Sequence, residues 1–188
     1  MKDMGLFIDS LRNQRHDFMN DIQVLYGYMQ INKYEEALRY LKKISKENEN
    51  ISNIYNLGDK FLGYILENNI KTMNKYGILL DIELEISSFN DIYFEKDFYK
   101  KRHLVNNIFN ELKKNSEKIY VYLFEDELGK SLLISNNEEV KDELDWIEEW
   151  NNIQVDIEKF YIYRYKDNGE IGYRIIFEKV KKRWRKVV

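Results

Sequence analysis

The segment Leu11-Arg-Asn-Gln-Arg-His-Asp-Phe-Met-Asn-Asp-Ile-Gln-Val-Leu-Tyr-Gly-Tyr-Met29 decides the architecture at the start of the chain. Its apolar residues recur at spacings of seven, four, three and four, at Leu11, Phe18, Ile22, Leu25 and Met29. This near-heptad seam predicts one amphipathic helix over about residues 3 to 31. A polar turn at 31–33 and a second apolar stripe from Tyr34 then predict another helix, which ends near Ser45 and makes an antiparallel hairpin with the first.

A two-helix hairpin on its own buries too little apolar surface to be stable in water. Two hairpins that share their seams form a four-helix bundle, so the sequence predicts a homodimer through residues 1–47. The polar stretch from Lys46 to Asn53 is rich in Glu and Asn, and residues 48–53 are therefore predicted to be a linker. A second domain is expected over residues 54–188.

The second domain has the pattern of an α+β fold, in which helices cover one face of a mainly antiparallel sheet. Its strongest turn signal is Asp167-Asn-Gly169, which predicts a hairpin between the last two strands. The predicted elements are a helix from Ile54 to Tyr76, a strand at 78–86, a helix at 97–114, strands at 119–124 and 131–135, an acidic helix at 136–150, and strands at 153–165 and 171–180.

Composition excludes several classes of protein. The 188 residues are 44% hydrophobic, carry a net charge of −3 and include no cysteine, so the chain folds around a core without disulfides or thiolate metal sites. The acidic balance argues against nucleic acid as a partner, and no apolar run reaches the roughly 20 residues that span a bilayer. We expect a cytoplasmic protein with no metal of its own. An acidic segment at 138–149 and a basic one from Lys179 to Lys186 are expected to be solvated.

His16 lies off the apolar seam of the first helix. At about 100° per residue, it is rotated by roughly 180° from Leu25. It continues a polar stripe that holds Arg12, Asn20 and Gln23 at spacings of four, four and three. The spacing therefore predicts an imidazole that faces solvent.

The residues around His16 suit the acceptance of a phosphoryl group. An imidazole with an ordinary pKa of about 6.5 is mostly a neutral nucleophile at neutral pH. Asp17 could orient the ring, Arg12 and Arg15 could donate charge-assisted hydrogen bonds to phosphoryl oxygens, and Asn20 could position the transferring group. Spacing alone leaves a second interpretation open, in which His16 and Asp17 form a solvated ion pair without function.

The stretch from Leu11 to Gln30, followed by the second helix from Tyr34 to Leu41, resembles the helical hairpin of the sporulation initiation phosphotransferase B family and of related citrate- and fumarate-type sensor histidine kinases. The resemblance continues through Ile51-Ser-Asn53 and the helix that ends at Tyr76-Gly77. It implies that His16 is the phosphorylated residue and that residues 54–188 are a kinase-type ATP-binding domain.

That second domain departs from the nucleotide-binding pattern of the kinases it resembles. Leu104 to Leu112 lies where an Asn-rich box is expected, but Glu111 stands in place of the metal-holding Asn. The glycine loop is replaced by Asn136-Asn-Glu-Glu-Val140, whose carboxylates repel triphosphate, and the eight glycines include no Gly-x-Gly. ATP binding is therefore predicted to be absent, and no cofactor of the chain's own is expected.

The resemblance and the missing motifs together imply a histidine phosphotransferase of a phosphorelay, which serves sporulation initiation. His16 would take a phosphoryl group from the aspartate of one response-regulator receiver domain and pass it to another, and the receiver would supply Mg²⁺. Two alternatives stay open. One is an autophosphorylating kinase with a divergent ATP site, and the other is a pseudokinase that binds a signalling partner and blocks it.

Overall fold

The computed structural model describes residues 2–179, so the basic segment that follows Lys179 lies outside the described residues. The chain divides into two compact units, Met1–Asn50 and Ile51–Val188. As predicted, helices come first and a sheet follows. The elements are α1 Lys2–Gln30, α2 Tyr34–Asn56, α3 Lys60–Lys75, β1 Leu79–Leu84, α4 Phe98–Leu112, β2 Lys118–Asp126, β3 Gly129–Ser135, β4 Asn151–Ile153, β5 Tyr161–Asp167 and β6 Glu170–Lys179.

The first unit is a helical hairpin, as the apolar seams predicted. α1 and α2 are joined by a short turn in which Asn32 adopts a left-handed backbone conformation with φ of 57°. Polar and aromatic side chains hold the two helices together: the Tyr40 hydroxyl donates to Asp21 Oδ1 at 2.8 Å, and the rings of Tyr28 and Tyr40 lie 6.4 Å apart. The seam alone did not reveal this contact.

The predicted linker at 48–53 is wrong in its secondary structure. α2 continues through these residues to Asn56 instead of ending near Ser45. The apolar spacing itself continues through Ile44, Ile51 and Ile54, and no glycine occurs between Gly27 and Gly58. Asn48 and Glu49 are exposed on the solvent side of the continuing helix. The division between the two units, at Asn50 and Ile51, falls within this helical stretch.

The second unit is built on one six-stranded sheet with the order β1-β2-β3-β6-β5-β4. The β1–β2 pair is parallel and the other pairs are antiparallel, which confirms a mainly antiparallel α+β sheet. α3 and α4 pack on one face, where Leu62, Ile65, Phe109 and Ile175 belong to the larger apolar core. The buried Asp59 carboxylate caps α3 and also accepts from the backbone N–H of Phe94 at 2.9 Å, which fastens the loop before α4.

The opposite face of the sheet is partly covered by the acidic segment Glu138–Glu149. This segment was predicted to be an α-helix, but it forms 3-10 turns with a kink at Trp146. Val140 is buried in a second, smaller apolar cluster, and its Cγ1 lies 2.5 Å from the position that a Cβ on residue 172 would take. Glycine at 172 therefore permits the close approach of this segment to the sheet.

The predicted strand at 153–165 is interrupted. β4 ends at Ile153 and β5 begins at Tyr161, and the charged loop between them includes Lys159 with a positive φ of 60°. Asp156 in this loop forms an ion pair with Lys100 of α4 at 2.8 Å. The loop therefore contacts α4 instead of pairing within the sheet. The predicted turn at Asp167-Asn-Gly169 is confirmed by the pairing of β5 with β6.

Candidate phosphoryl-acceptor site

His16 lies in the middle of α1 with 74% of its side chain exposed to solvent. Two neighbours on the same helix approach a single atom of the ring. The Asn20 amide nitrogen is 3.1 Å from His16 Nδ1, and Asp17 Oδ1 is 3.8 Å from it. Among residues 2–179 no group is hydrogen-bonded to Nε2, so the ring presents this nitrogen outwards.

The tautomer of the His16 ring decides how these contacts work. As the side chains lie, the Asn20 amide nitrogen faces Nδ1 and donates to it, which leaves the ring proton on Nε2. The amide turned by 180° would offer its oxygen and let Nδ1 donate, and the lone pair would then lie on Nε2. In that second arrangement Nε2 is the nucleophilic atom, and the Asp17 carboxylate lies 3.8 Å from the nitrogen that carries the proton.

Not all of the predicted site residues are brought together. Asp17 and Asn20 contact the His16 ring, as their spacing suggested. Arg12 and Arg15 are exposed and form no ion pair within residues 2–179. Both guanidinium groups are therefore available to a partner, and neither is held in place by the hairpin.

An apolar face of the hairpin lies beside the polar stripe. On α1, Leu11, Phe18, Ile22 and Met29 are 44 to 62% exposed, although Leu25 and Tyr28 turn toward α2. On α2 the side chains of Tyr34, Leu38 and Leu41 are likewise 49 to 60% exposed.

The two exposed stripes lie on one side of the hairpin. On each helix, the exposed stripe is rotated by roughly 70° to 100° around the helix axis from the side chains that contact the other helix. The rotation has the same sense on both helices when each is followed from its N-terminus. Seen from one end, two antiparallel helices turn in opposite senses, so equal rotations bring both stripes to the same side. His16 on α1 is rotated by a further roughly 140° from the centre of this apolar face.

In the second unit, the Asn-box position holds an ion pair between protein groups. Glu111 accepts from the Arg164 guanidinium at 2.5 Å and from the Tyr173 hydroxyl at 2.5 Å. Burial raises the pKa of Glu111, but the hydrogen bonds from Tyr173 and Arg164 outweigh it and hold the pKa below its usual value. Burial, together with the hydrogen bond to Glu111, raises the pKa of Tyr173 to about 12.

The segment that replaces the glycine loop is fastened to the β5–β6 hairpin. The Asn136 amide donates to the Gly169 carbonyl at 3.0 Å and accepts from the Ile171 N–H at 2.7 Å, while Asn137 accepts from the Glu139 N–H. These groups are therefore satisfied within the fold. Within residues 2–179 no cluster of His, Asp or Glu could hold a metal ion, and no helix there is long and apolar enough to cross a membrane.

Comparison with known families identifies the helical part of the chain. Residues 1–57 match the family described as the alpha-helical domain of SpoOB-type sensor kinases. This confirms the predicted resemblance over the hairpin, including the stretch that carries His16. No curated protein matches the chain.

Two solved histidine kinases are similar in structure to the chain. For the Acinetobacter baumannii histidine kinase AdeS the identity is 12% and the TM-score 0.42, over 88% of this chain and 98% of that one. Histidine kinase ThkA, solved in complex with the response regulator protein TrrA, has 13% identity and a TM-score of 0.36, over 89% of this chain and 60% of that one. At these values the likeness says nothing about activity.

Proposed function

We propose that the protein is a histidine phosphotransferase that accepts a phosphoryl group on His16 from the aspartyl phosphate of one receiver domain and passes it to another. The observation that carries this proposal is the geometry of the ring. Asp17 and Asn20 both lie at Nδ1, while Nε2 is exposed on a family-matched helix. A nucleophile held at one end and open at the other suits a donor as large as a protein domain.

The transfer step needs no cofactor of this chain. Nε2 attacks the phosphorus, the bond from phosphorus to the receiver's carboxylate oxygen breaks, and that carboxylate leaves with the bonding pair. The ring becomes cationic as the bond forms, and Asp17 beside Nδ1 stabilises this charge. Arg12, within the His16 stripe, and Arg15 are rotated from His16 by roughly 40° and 100° in the same direction. Both are placed to reach phosphoryl oxygens or an acidic receiver surface.

A homodimer is part of the proposal. The exposed apolar side chains form one continuous face along both helices and are not scattered singly over the surface. This face consists of Leu11, Phe18, Ile22, Met29, Tyr34, Leu38 and Leu41. Pairing this face with its copy makes a four-helix bundle and leaves the His16 stripe of each protomer outside the interface. Residues 1–47 then provide both dimerisation and phosphotransfer.

We also propose that the second unit does not use ATP. Glu111 stands where the resemblance implies a metal-holding Asn, and it forms an ion pair with Arg164 and accepts a hydrogen bond from Tyr173. The segment at 136–140 is hydrogen-bonded to the β5–β6 hairpin. A triphosphate would have to displace these internal partners and face the carboxylates of Glu138 and Glu139. Mg²⁺ is therefore expected in the receiver.

A relay assay with two purified receiver domains tests the function. One receiver is loaded with labelled phosphate, separated from its donor and mixed with the chain and the second receiver. We expect label to reach the second receiver only when the chain is present, and His16→Gln to abolish transfer. His103→Gln is the matched control, because His103 is the other histidine and is exposed on α4.

Other outcomes of that assay decide between the alternatives. A chain that binds the loaded receiver, lowers its reactivity and is indifferent to His16→Gln is a blocking pseudokinase. Label that enters His16 from ATP alone indicates a kinase. In a spore-forming host, the pathway assignment predicts that His16→Gln lowers spore counts as much as deletion of the whole chain does.

A further inference from the structure

The strand β1 forms one edge of the sheet and has the regular geometry of a strand that can be paired. Within residues 2–179, its one neighbour in the sheet is β2. Its six residues pair with β2 in an unbroken parallel register from Leu79 to Leu84, and the chain contains no proline. Bulges and prolines are common devices that keep an edge strand from further pairing, and β1 has neither. The strand is therefore suited to accept another strand along its outer side.

The outer backbone groups of β1 belong to Leu80, Ile82 and Leu84. The Leu79 N–H donates to the carbonyl of the residue before β2 at 3.0 Å, and the Glu85 N–H donates to a carbonyl within β2 at 2.8 Å. The backbone groups of a strand alternate in direction, so the odd-numbered residues between these two also face β2. The N–H and carbonyl groups of the three even-numbered residues therefore point away from β2, toward the outer edge.

The side chains of β1 give its two faces different chemistry. The even-numbered side chains lie on the face covered by α3 and α4, where they are half-buried against the larger apolar core. Asp81 and Glu83 project from the opposite face, and their side chains are 50% and 51% exposed. A strand that pairs with β1 places alternate side chains on these two faces. Apolar side chains suit the first face, and cationic side chains suit the second.

A cavity of about 170 Å³ lies beside the acidic side chains of β1. Its lining includes the carboxylates of Asp81, Glu83 and Glu138 and the rings of Tyr120 and Tyr122. A protein cavity of about 150 Å³ accommodates a group the size of benzene, so this one has room for a guanidinium group. Carboxylates and the faces of aromatic rings both attract such a cation. The cavity is therefore suited to the end of an arginine side chain.

Two lysines of the chain already bind to this surface in the same manner. Lys118 forms an ion pair with Asp81 at 2.8 Å, and its ammonium group lies 4.4 Å from the ring centre of Tyr120. Lys141 pairs with Glu83 at 2.7 Å and likewise lies over a tyrosine ring. Exposed ion pairs of this kind are weak. A cation from a partner can therefore share these carboxylates or take the place of a lysine.

A second copy of β1 does not suit this edge. Antiparallel pairing through the outer backbone groups of two β1 strands puts Asp81 of each copy directly opposite Glu83 of the other. Like charges in that position destabilise a strand pair. Exposed Glu85 and Glu138 add to the negative charge around β1, so four carboxylates outnumber the two lysines that pair with them. The charge of this edge therefore favours a basic partner.

We propose that β1 is the docking edge for an extended segment of a partner protein in which basic and apolar residues alternate. The segment pairs with the outer backbone groups of Leu80, Ile82 and Leu84 and adds a strand to the sheet. Its apolar side chains pack beside these three residues, and its basic side chains lie beside Asp81 and Glu83, with one of them in the cavity. This assignment is independent of the phosphotransfer proposed above, because no residue of the hairpin takes part in it.

Amide hydrogen exchange in the full chain tests the pairing residue by residue. The probe is a synthetic seven-residue peptide in which valine and arginine alternate, added to saturation at low ionic strength. We expect it to slow the exchange of the Leu80, Ile82 and Leu84 N–H groups by about tenfold or more. The N–H groups of Asp81 and Glu83, which face β2, are internal references and should change little. A peptide that does not bind, or that binds without protecting the three outer N–H groups, would overturn the proposal.

Altered peptides and a matched pair of variants make the test specific. We expect no binding by a peptide with glutamate in place of arginine, and none by the original peptide with all its backbone nitrogens methylated. Asp81→Asn combined with Glu83→Gln should raise the Kd of the original peptide by about three- to tenfold. Glu148→Gln combined with Glu149→Gln removes the same charge from exposed positions of the acidic segment and should leave the Kd unchanged. Equal affinity for the methylated or the acidic peptide, or an equal effect of both double variants, contradicts strand pairing at β1.

Discussion

The two units of the chain bury their apolar residues to very different extents. In the hairpin, Ala37 is the one apolar residue classed as buried among the described side chains, whereas exposed large hydrophobic residues run from Ile8 to Leu41. In the second unit two packed clusters join α3, α4 and the sheet. The difference teaches that the second unit has a packed core of its own, whereas the hairpin leaves most of its large apolar side chains exposed, as the proposed homodimer requires.

The largest expected effect follows from placing charge on the hairpin's apolar face. Phe18→Glu and Ile22→Glu are expected to raise the dimer dissociation constant by about 100-fold or more, because an unpaired carboxylate in an interface costs several kcal/mol. As the dimer dissociates, the helical content of the hairpin should fall, while the second unit stays folded. Analytical ultracentrifugation and circular dichroism measure both quantities.

The matched control for that experiment lies on the same helix. Gln23→Glu introduces the same charge on the polar stripe and is expected to leave the dimer intact. If the wild-type chain sediments as a monomer with a stable hairpin, the proposed homodimer is wrong.

A smaller effect is expected when the internal ion pair of the second unit is broken. Arg164→Met leaves Glu111 partly buried without its cation and should lower the free energy of unfolding of the second unit by about 1–3 kcal/mol. Urea unfolding followed by the fluorescence of Trp150 reports it. Glu148→Gln, on the exposed part of the acidic segment, is the control and should change stability little.

The same ion pair makes the second unit sensitive to acid. The folded-state pKa of Glu111 lies below its unfolded value of 4.5, so its contribution to stability is complete above that value and is lost as pH falls through the folded pKa. Glu111→Gln should flatten this part of the stability profile below about pH 4.5. An identical slope in both proteins would show that Glu111 is not held by Arg164 and Tyr173.

The smallest effect concerns the hydrogen bond between the helices of the hairpin. Burial and the bond to Asp21 raise the pKa of Tyr40 from 10.0 to about 12, so its contribution is present below pH 10.0 and is lost as pH rises toward about 12. Tyr40→Phe should cost about 0.5–1.5 kcal/mol at neutral pH and remove this alkaline step. Tyr26→Phe, at an exposed position on α1, should do neither.

Sequence patterns predicted most of the elements because apolar periodicity reflects burial directly. The apolar seam predicted α1, and the alternation of Ile82 and Leu84 with acidic residues predicted β1. The turn sequence Asp167-Asn-Gly169 predicted the last hairpin. α2 was predicted too short, because polar composition was taken as a linker although the apolar spacing continued. Local composition cannot distinguish a solvated helix from a flexible connection.

The candidate site was only partly predictable for a related reason. Contacts within one helix, such as those of Asp17 and Asn20 with His16, follow from spacing. Contacts between distant segments do not, and neither the Tyr40–Asp21 bond nor the Glu111–Arg164–Tyr173 network left a signal in the sequence. The approach of Val140 to Gly172 likewise joins segments that are distant in sequence.

The most direct test of the central claim is to locate the phosphoryl group after the chain meets each of two donors. The chain and its His16→Gln variant are incubated separately with a phosphorylated receiver domain and with Mg²⁺-ATP, and the phosphorylated residue is mapped by mass spectrometry at neutral pH. We predict phosphate on His16 from the receiver, none from ATP, and none on the variant. Phosphate on His16 from ATP alone, or transfer that survives in His16→Gln, would contradict the account.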